Sequence, residues 1–182
     1  MATIHRIRDH LVVLAKARQN RGDLPGWLVR RPFIAMANSF YEVALLSSGR
    51  APTRLKLLAG IKAAMLTRCE FCIDIADSLA QHDGISQEQL KALVHYRDSD
   101  LFTPVEKLCI QLGEEMSRTP AIVSDGLREE LLRHLTRGQL VEIAAEVAWE
   151  NQRGRLNQGL GVRSLDTAGR ALCLMPEQAG CP

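Results

Sequence analysis

A Ser or Thr followed three residues later by Glu or Gln recurs ahead of apolar-periodic segments in this chain. The pairs are Ser86 with Gln89, Thr103 with Glu106, and Thr136 with Gln139. Each pair can satisfy two orphan amides reciprocally, so each marks a helix start. Pro104 stands just inside the second start, where a missing amide costs nothing. Ser124 lacks the acidic partner but suits the cap of "DGLREELLRHL". Pro32 opens "RPFIAMANSFYEVALLSSG", which closes on Gly49. Pro52-Thr53 opens "TRLKLLAGIKAAML", and Asp83-Gly84 stops the segment after it. No sustained alternation with hairpin turns occurs. Aromatic residues make up only 4%, which leaves the core to Leu, Ala, Ile and Val and favours helices over sheets. The expectation is an all-α domain of about seven or eight helices. Its parts are an N-terminal helical extension (1–31), a core (32–162) and a C-terminal tail (163–182).

The chain of 182 residues, 46% apolar and 24% charged, fits one globular domain able to bury a core without disulfide staples. Its 23 basic and 21 acidic residues are interspersed, for a net charge of +2. No basic tract or aromatic series favours nucleic acid, and "LVRRPF" at 28–33 reads as a solvated helix start. No segment has the length and apolarity of a membrane span. Ile4, Ile7, Leu11, Leu14 and Ala15 fall at helical spacing, which reads as an amphipathic helix docked on its own domain or on a partner subunit. Asp9 argues against a transit peptide. Five cysteines, an odd count without a secretion signal, point to a reducing compartment and a cytoplasmic location.

"TRCEFCIDIADSLA" (67–80) holds Cys69 and Cys72 three apart. Thr67 and Glu70 form a further capping pair around the first cysteine. If Thr67 is the cap, Cys69 is the second helical residue and Cys72 the fifth, and a thiolate at Cys69 gains from free amides and the macrodipole. Arg68 adds a nearby positive charge. The alternative is one long helix from 53 to about 82, which buries both cysteines mid-helix; the break at 67 is the preferred reading. Three uses compete for the pair. Two small apolar side chains can simply pack a core. A structural zinc would need four ligands, and Cys109, Cys173, Cys181 and the five histidines supply no second pair. A redox dithiol needs the two sulfurs to meet, which positions three apart at a helix start allow. No βαβ pattern surrounds the motif, so a thioredoxin fold is disfavoured.

"LLAGIKAAMLTRCEFCIDIADSLA" resembles the core of the AhpD-like, carboxymuconolactone decarboxylase superfamily, in which a helix leads into a CxxC at the start of the next. "LFTPVEKLCIQLGEEM", "LTRGQLVEIAAEVAWEN" and "NQRGRLNQGLGV" continue the likeness, which spans roughly 32–162. The resemblance implies that the pair reduces peroxides or exchanges disulfides, with Cys72 attacking and Cys69 resolving. Proximity to the cap favours Cys69 as the activated thiol, and the order stays open. The family pattern places a Glu twelve residues before the first cysteine and a His four after the second. Here those positions are Leu57 and Ala76. Acid–base help must come from elsewhere. Glu70, Asp74, Asp77 and His82 are near in sequence, while His134, Glu142 and Glu146 could reach the site only through the fold. Asp74 and Asp77 read as solvated helix-face acids and His82 as a residue at a helix C-terminus. Trp149 reads as a core or interface anchor. Asn151 and Asn157, unfavourable in helix interiors, read as buried hydrogen-bonding residues.

The leading expectation is a thiol-dependent oxidoreductase with Cys69 and Cys72 as its catalytic dithiol, acting on a peroxide or other small-molecule substrate. It needs a thiol reductant and neither cofactor nor metal. The resemblance implies a homo-oligomer, a dimer, trimer or hexamer. The alternatives are an enzyme acting on a small carboxylic acid or lactone, and a non-catalytic scaffold or ligand binder on the same fold.

Overall fold

The computed structural model describes residues 24–162. The expected N-terminal helix up to residue 23 and the tail from 163, with Cys173 and Cys181, lie outside the described residues. The described chain contains eight α-helices: α1 (Leu24–Leu28), α2 (Pro32–Ser47), α3 (Thr53–Leu66), α4 (Glu70–His82), α5 (Gln87–Ala92), α6 (Pro104–Ser117), α7 (Asp125–His134) and α8 (Arg137–Leu160). A 3₁₀ turn, Leu93–His95, follows α5, and there is no strand among the described residues. The all-α expectation holds.

The helix starts follow the capping chemistry. Ser86, Thr103 and Thr136 each close the reciprocal box with Gln89, Glu106 and Gln139. The Ser124 hydroxyl accepts the Leu127 amide without a box partner. Pro32 is the first residue of α2, and Pro104 the first of α6. At its far end α8 stops on Gly161, which takes the left-handed conformation that glycine adopts most readily.

α3 is the hub. It packs mainly on α6, α8 and α4. Residues on nearly every side of it are buried, so its apolar pattern runs all round rather than along one stripe. On one side Leu58, Ile61 and Met65 join Ile73, Leu90 and Ile110 in a core shared with α4, α5 and α6. On the other, Ala59 and Ala63 join Cys109, Leu131, Ile143 and Val147 from α6, α7 and α8. The α3–α6 approach is set by Gly113, where a Cβ would collide with the Ala59 carbonyl. Glu142 on α8 accepts the amides of Arg50 and Ala51 at 2.9–3.1 Å, which ties the loop before α3 to α8.

α2 is the exception to this packing. Phe33 is 84% exposed and Phe40 77% exposed, and Ile34, Met36 and Val43 are exposed beside them. Its inner edge still contributes: Tyr41 stacks on Trp149 with ring centroids 4.9 Å apart. Trp149 is therefore an internal anchor between α2 and α8. No helix among the described residues is long and apolar enough to cross a membrane.

Candidate functional site

α3 and α4 are separate helices, as the break at 67 anticipates, but the cap is not the expected one. Thr67 is the C-cap of α3, and its hydroxyl donates back to the carbonyls of Ala63 (3.0 Å) and Ala64 (3.2 Å). Arg68 takes a left-handed conformation with φ 52°. Cys69 is the N-cap of α4, and Glu70 is its first residue rather than its third. No Thr67–Glu70 capping box forms, because the Thr67 hydroxyl is committed to α3 and Arg68 turns the chain. The corrected register puts Cys69 at the cap and Cys72 at the third helical position. Both stay in the first turn of α4, at its N-terminal end.

Cys69 and Cys72 form a disulfide, with Cα atoms 5.2 Å apart. Both residues are almost fully buried. The Cys72 amide donates to Cys69 Sγ at 3.3 Å, so a sulfur replaces the usual capping oxygen. The Asn157 side-chain amide donates from α8, with Nδ2 at 3.5 Å from Cys69 Sγ and 3.9 Å from Cys72 Sγ. Asn157 is 1% exposed, and its Oδ1 has no hydrogen-bond partner among the described residues. Gly154 makes the approach of α8 workable. A Cβ there would lie 2.8 Å from Thr67 Cβ and 3.4 Å from Cys69 Cβ. Gln158 Nε2 donates to the carbonyls of Thr67 and Arg68 and latches the same turn to α8.

Beyond the first turn of α4 lies a cavity of about 190 Å³. Leu57 and Ala76, the two positions where the resemblance would put Glu and His, both line it. So do Glu146, Glu150 and Arg153 of α8 and Glu42 of α2. Arg153 pairs with Glu42 (3.1 Å) and with Glu150, and Trp149 Nε1 donates to Glu42. Burial works against the Arg153 charge, but Glu150, Glu42 and Glu146 outweigh it and hold the guanidinium firmly protonated. Burial, with the repulsion of Glu150 and Glu42, pushes the Glu146 carboxyl up to about 7.

The other candidates separate cleanly. Lys62, a cation of α3 seven residues before Cys69, is engaged elsewhere: its ammonium donates to the Leu93 carbonyl at 3.0 Å, and burial lowers its pKa. Asn151 donates to Ser117 Oγ (2.7 Å) and the Val147 carbonyl (2.9 Å), a structural role. Glu142 is engaged by the loop before α3, and His134 sits with Glu130 near the end of α7. Glu70 starts α4. The side chains of Asp74, Asp77 and His82 lie outside the described residues. Cys109 is a free, buried thiol whose pKa burial pushes up to about 12.

Sequence reasoning missed Glu42, Arg153 and Gly154. Gly154 carried only a weak signal: a glycine inside a helix can mark a close contact, but Gly159 in the same helix has nothing within 4 Å. Glu42 carried none, because its position against α8 is a tertiary fact.

Comparisons with known proteins bear on the family and the fold. The sequence pattern of the Carboxymuconolactone decarboxylase family matches residues 32–115, from α2 through most of α6. An uncharacterized Escherichia coli (strain K12) protein, YnjA, is 32% identical over 155 residues, covering 84% of this chain and 81% of the relative. Among solved structures, an Agrobacterium tumefaciens protein of unknown function, proposed to be the antioxidant defence protein AhpD, superposes with a TM-score of 0.66. It is 24% identical and covers 73% of this chain and 91% of that one. The debrominase Bmp8, solved as a cysteine-to-alanine variant with 2,3,4-tribromopyrrole, gives a TM-score of 0.70 at 20% identity over 81% of this chain and 78% of its own. At these identities the structural likenesses establish the fold alone. The CxxC turn, the helical order around it and the matched sequence together make this chain a member of the carboxymuconolactone decarboxylase family.

Proposed function

We propose that this protein is a thiol-dependent oxidoreductase whose Cys69–Cys72 pair cycles between dithiol and disulfide while reducing a peroxide or exchanging with a substrate disulfide. The observation that carries the reading is the buried disulfide at the start of α4 with the Asn157 amide against both sulfurs. On reduction, a thiolate there would keep that donor, the Cys72 amide and the positive end of α4, the three influences that lower a thiol pKa. Cys72 is the attacking sulfur in this scheme. It lies one helical turn before Ala76, the residue of α4 that lines the cavity together with Ile75 and Leu79. Cys69 resolves the intermediate, and an external thiol reductant restores the pair in a reducing cytoplasm. The exposed apolar face of α2 (Phe33, Met36, Phe40) supports self-association into the oligomer that the family resemblance implies.

The test is turnover of an alkyl hydroperoxide and of a small disulfide by wild type, Cys69→Ser and Cys72→Ser. Loss of turnover in both variants is expected; variants as fast as wild type would refute the reading. A second reading, an acid–base enzyme acting on a small carboxylic acid or lactone, draws on Glu146 and Arg153 in the cavity. It requires activity that survives removal of both thiols.

A further inference from the structure

The family resemblance puts acid–base residues at positions 57 and 76, and here both side chains are hydrocarbon. We infer that Glu146, reaching in from α8, is the catalytic acid that protonates the leaving group when the dithiol attacks its substrate. The assignment rests on the dithiol reading above.

Three observations carry it. First, Leu57, Ala76 and Glu146 line one cavity, so the carboxyl shares the space into which residues at the two vacated positions would project. Second, Glu146 lies over Gly60, one turn along α3 from Leu57. A Cβ built at Gly60 would meet Glu146 Cγ at 3.5 Å and Oε1 at 3.8 Å, ordinary contact distances, so the Glu146 side chain lies directly against this turn of α3. Third, the neighbouring acids are engaged while this one is not. Glu42 accepts from Trp149 and Arg153, and Glu150 pairs with Arg153. Glu146 makes no hydrogen bond or ion pair with any described residue. The charged groups around the cavity are Glu42 from α2, Lys56 from α3, Asp83 after α4, and Glu150 and Arg153 from α8. Among them, burial and the two glutamates outweigh Arg153 and Lys56, so the carboxyl holds a proton near neutral pH. That is the protonation state a general acid needs at its working pH.

The chemistry balances with an alkyl hydroperoxide. The Cys72 thiolate attacks the terminal oxygen, an S–O bond forms, and the O–O bond breaks. The electron pair leaves on the alkoxide oxygen, which takes the Glu146 proton and departs as the alcohol. The Cys69 thiol then attacks the Cys72 sulfenic sulfur. The S–S bond forms, and hydroxide leaves with the thiol proton as water. An external dithiol reduces the pair and is itself oxidised to a disulfide, and Glu146 regains its proton from solvent.

The experiment compares wild type with Glu146→Gln on two substrates that differ in leaving-group basicity. An alkyl hydroperoxide expels a strongly basic alkoxide and needs the acid. The aromatic disulfide 5,5′-dithiobis(2-nitrobenzoate) expels a thiolate that is stable without a proton. The variant should lose about 100-fold in kcat/KM on the hydroperoxide, at the low end of general-acid contributions. It should keep its rate on the aromatic disulfide, which also reports an intact fold. The limb of the hydroperoxide pH profile near 7 should vanish in the variant. An unchanged hydroperoxide rate, or an equal loss on both substrates, overturns the assignment while leaving the dithiol reading in place. A wild-type protein that reduces neither substrate overturns both.

Discussion

Replacing Asn157 should make the reduced cysteine pair less acidic. The side chain supplies one N–H donor, with Nδ2 at 3.5 Å from Cys69 Sγ and 3.9 Å from Cys72 Sγ. A hydrogen bond to a charged group contributes about 1.5–3 kcal/mol, and these long sulfur contacts belong at about 1.5. At about 1.4 kcal/mol per unit, the first macroscopic pKa of the pair should rise by about 1 unit. The Cys72 amide still donates to Cys69 Sγ in the variant, so the loss is partial. Asn157 Oδ1 has no described partner, so no bond is lost on that side. Asn157→Leu keeps the volume and removes the donor; Asn157→Ala removes both. The assay is the alkylation rate of the dithiothreitol-reduced protein by iodoacetamide from about pH 5 to about pH 10, whose midpoint reports the thiolate. Both variants should shift that midpoint upward alike. A midpoint within about 0.3 unit of wild type in the Leu variant would refute the claim that the Asn157 amide stabilises the thiolate.

Other expectations follow from the same coordinates. Gly154→Ala should cost about 1–3 kcal/mol of stability in urea unfolding and slow disulfide formation, because its Cβ would collide with Thr67, two residues before Cys69. Glu146 has a folded pKa near 7, above its ordinary 4.5, so its contribution to stability is complete below about 4.5 and is lost as pH rises through 7. A Glu146→Gln variant should therefore show a flatter stability profile over that window than wild type. Cys109, with its thiol pushed to about 12, should stay unlabelled by iodoacetamide at neutral pH in the folded, reduced protein, as mass mapping would show. Changing both Phe33 and Phe40 to Glu should lower the oligomeric state seen by sedimentation and leave helix content unchanged, since both rings are exposed within one chain.

Local chemistry was legible in the sequence where the signal is local. Ser86, Thr103 and Thr136 cap their helices through side chains only three residues away, and that spacing can be read directly from the chain. The same rule failed at Thr67, because a threonine hydroxyl can also bond back to the preceding turn. In the fold that alternative wins: α3 offers the Ala63 and Ala64 carbonyls, and Arg68 absorbs the change of direction. The cysteine pair was identifiable from its spacing. Its environment was not, because its side-chain polar partner is Asn157, which comes to it by the packing of α8.

The polar residues of α8 explain why the site was hard to read and how it works. Glu142, Glu146, Glu150, Arg153 and Asn157 recur at intervals of three or four, so they share one face of a helix. Such a stripe would ordinarily face water, with Ile143 and Val147 turned to the core. Here the stripe faces inward as well, because α8 lies along α3 and is covered by α2 and the start of α4. Buried polar groups at this density persist only when they are partnered or employed. Glu142 is engaged with the Arg50 and Ala51 amides, and Glu150 and Arg153 with each other. Asn157 meets the sulfurs. The Glu146 carboxyl makes no hydrogen bond with a described residue, and it faces the cavity that Leu57 and Ala76 leave open. Hydrocarbon at positions 57 and 76 therefore need not mean that acid–base chemistry is lost. Those two side chains leave the cavity to a carboxyl that α8 already carries, so the proposed role moves from α3 and α4 to α8 without any change of fold.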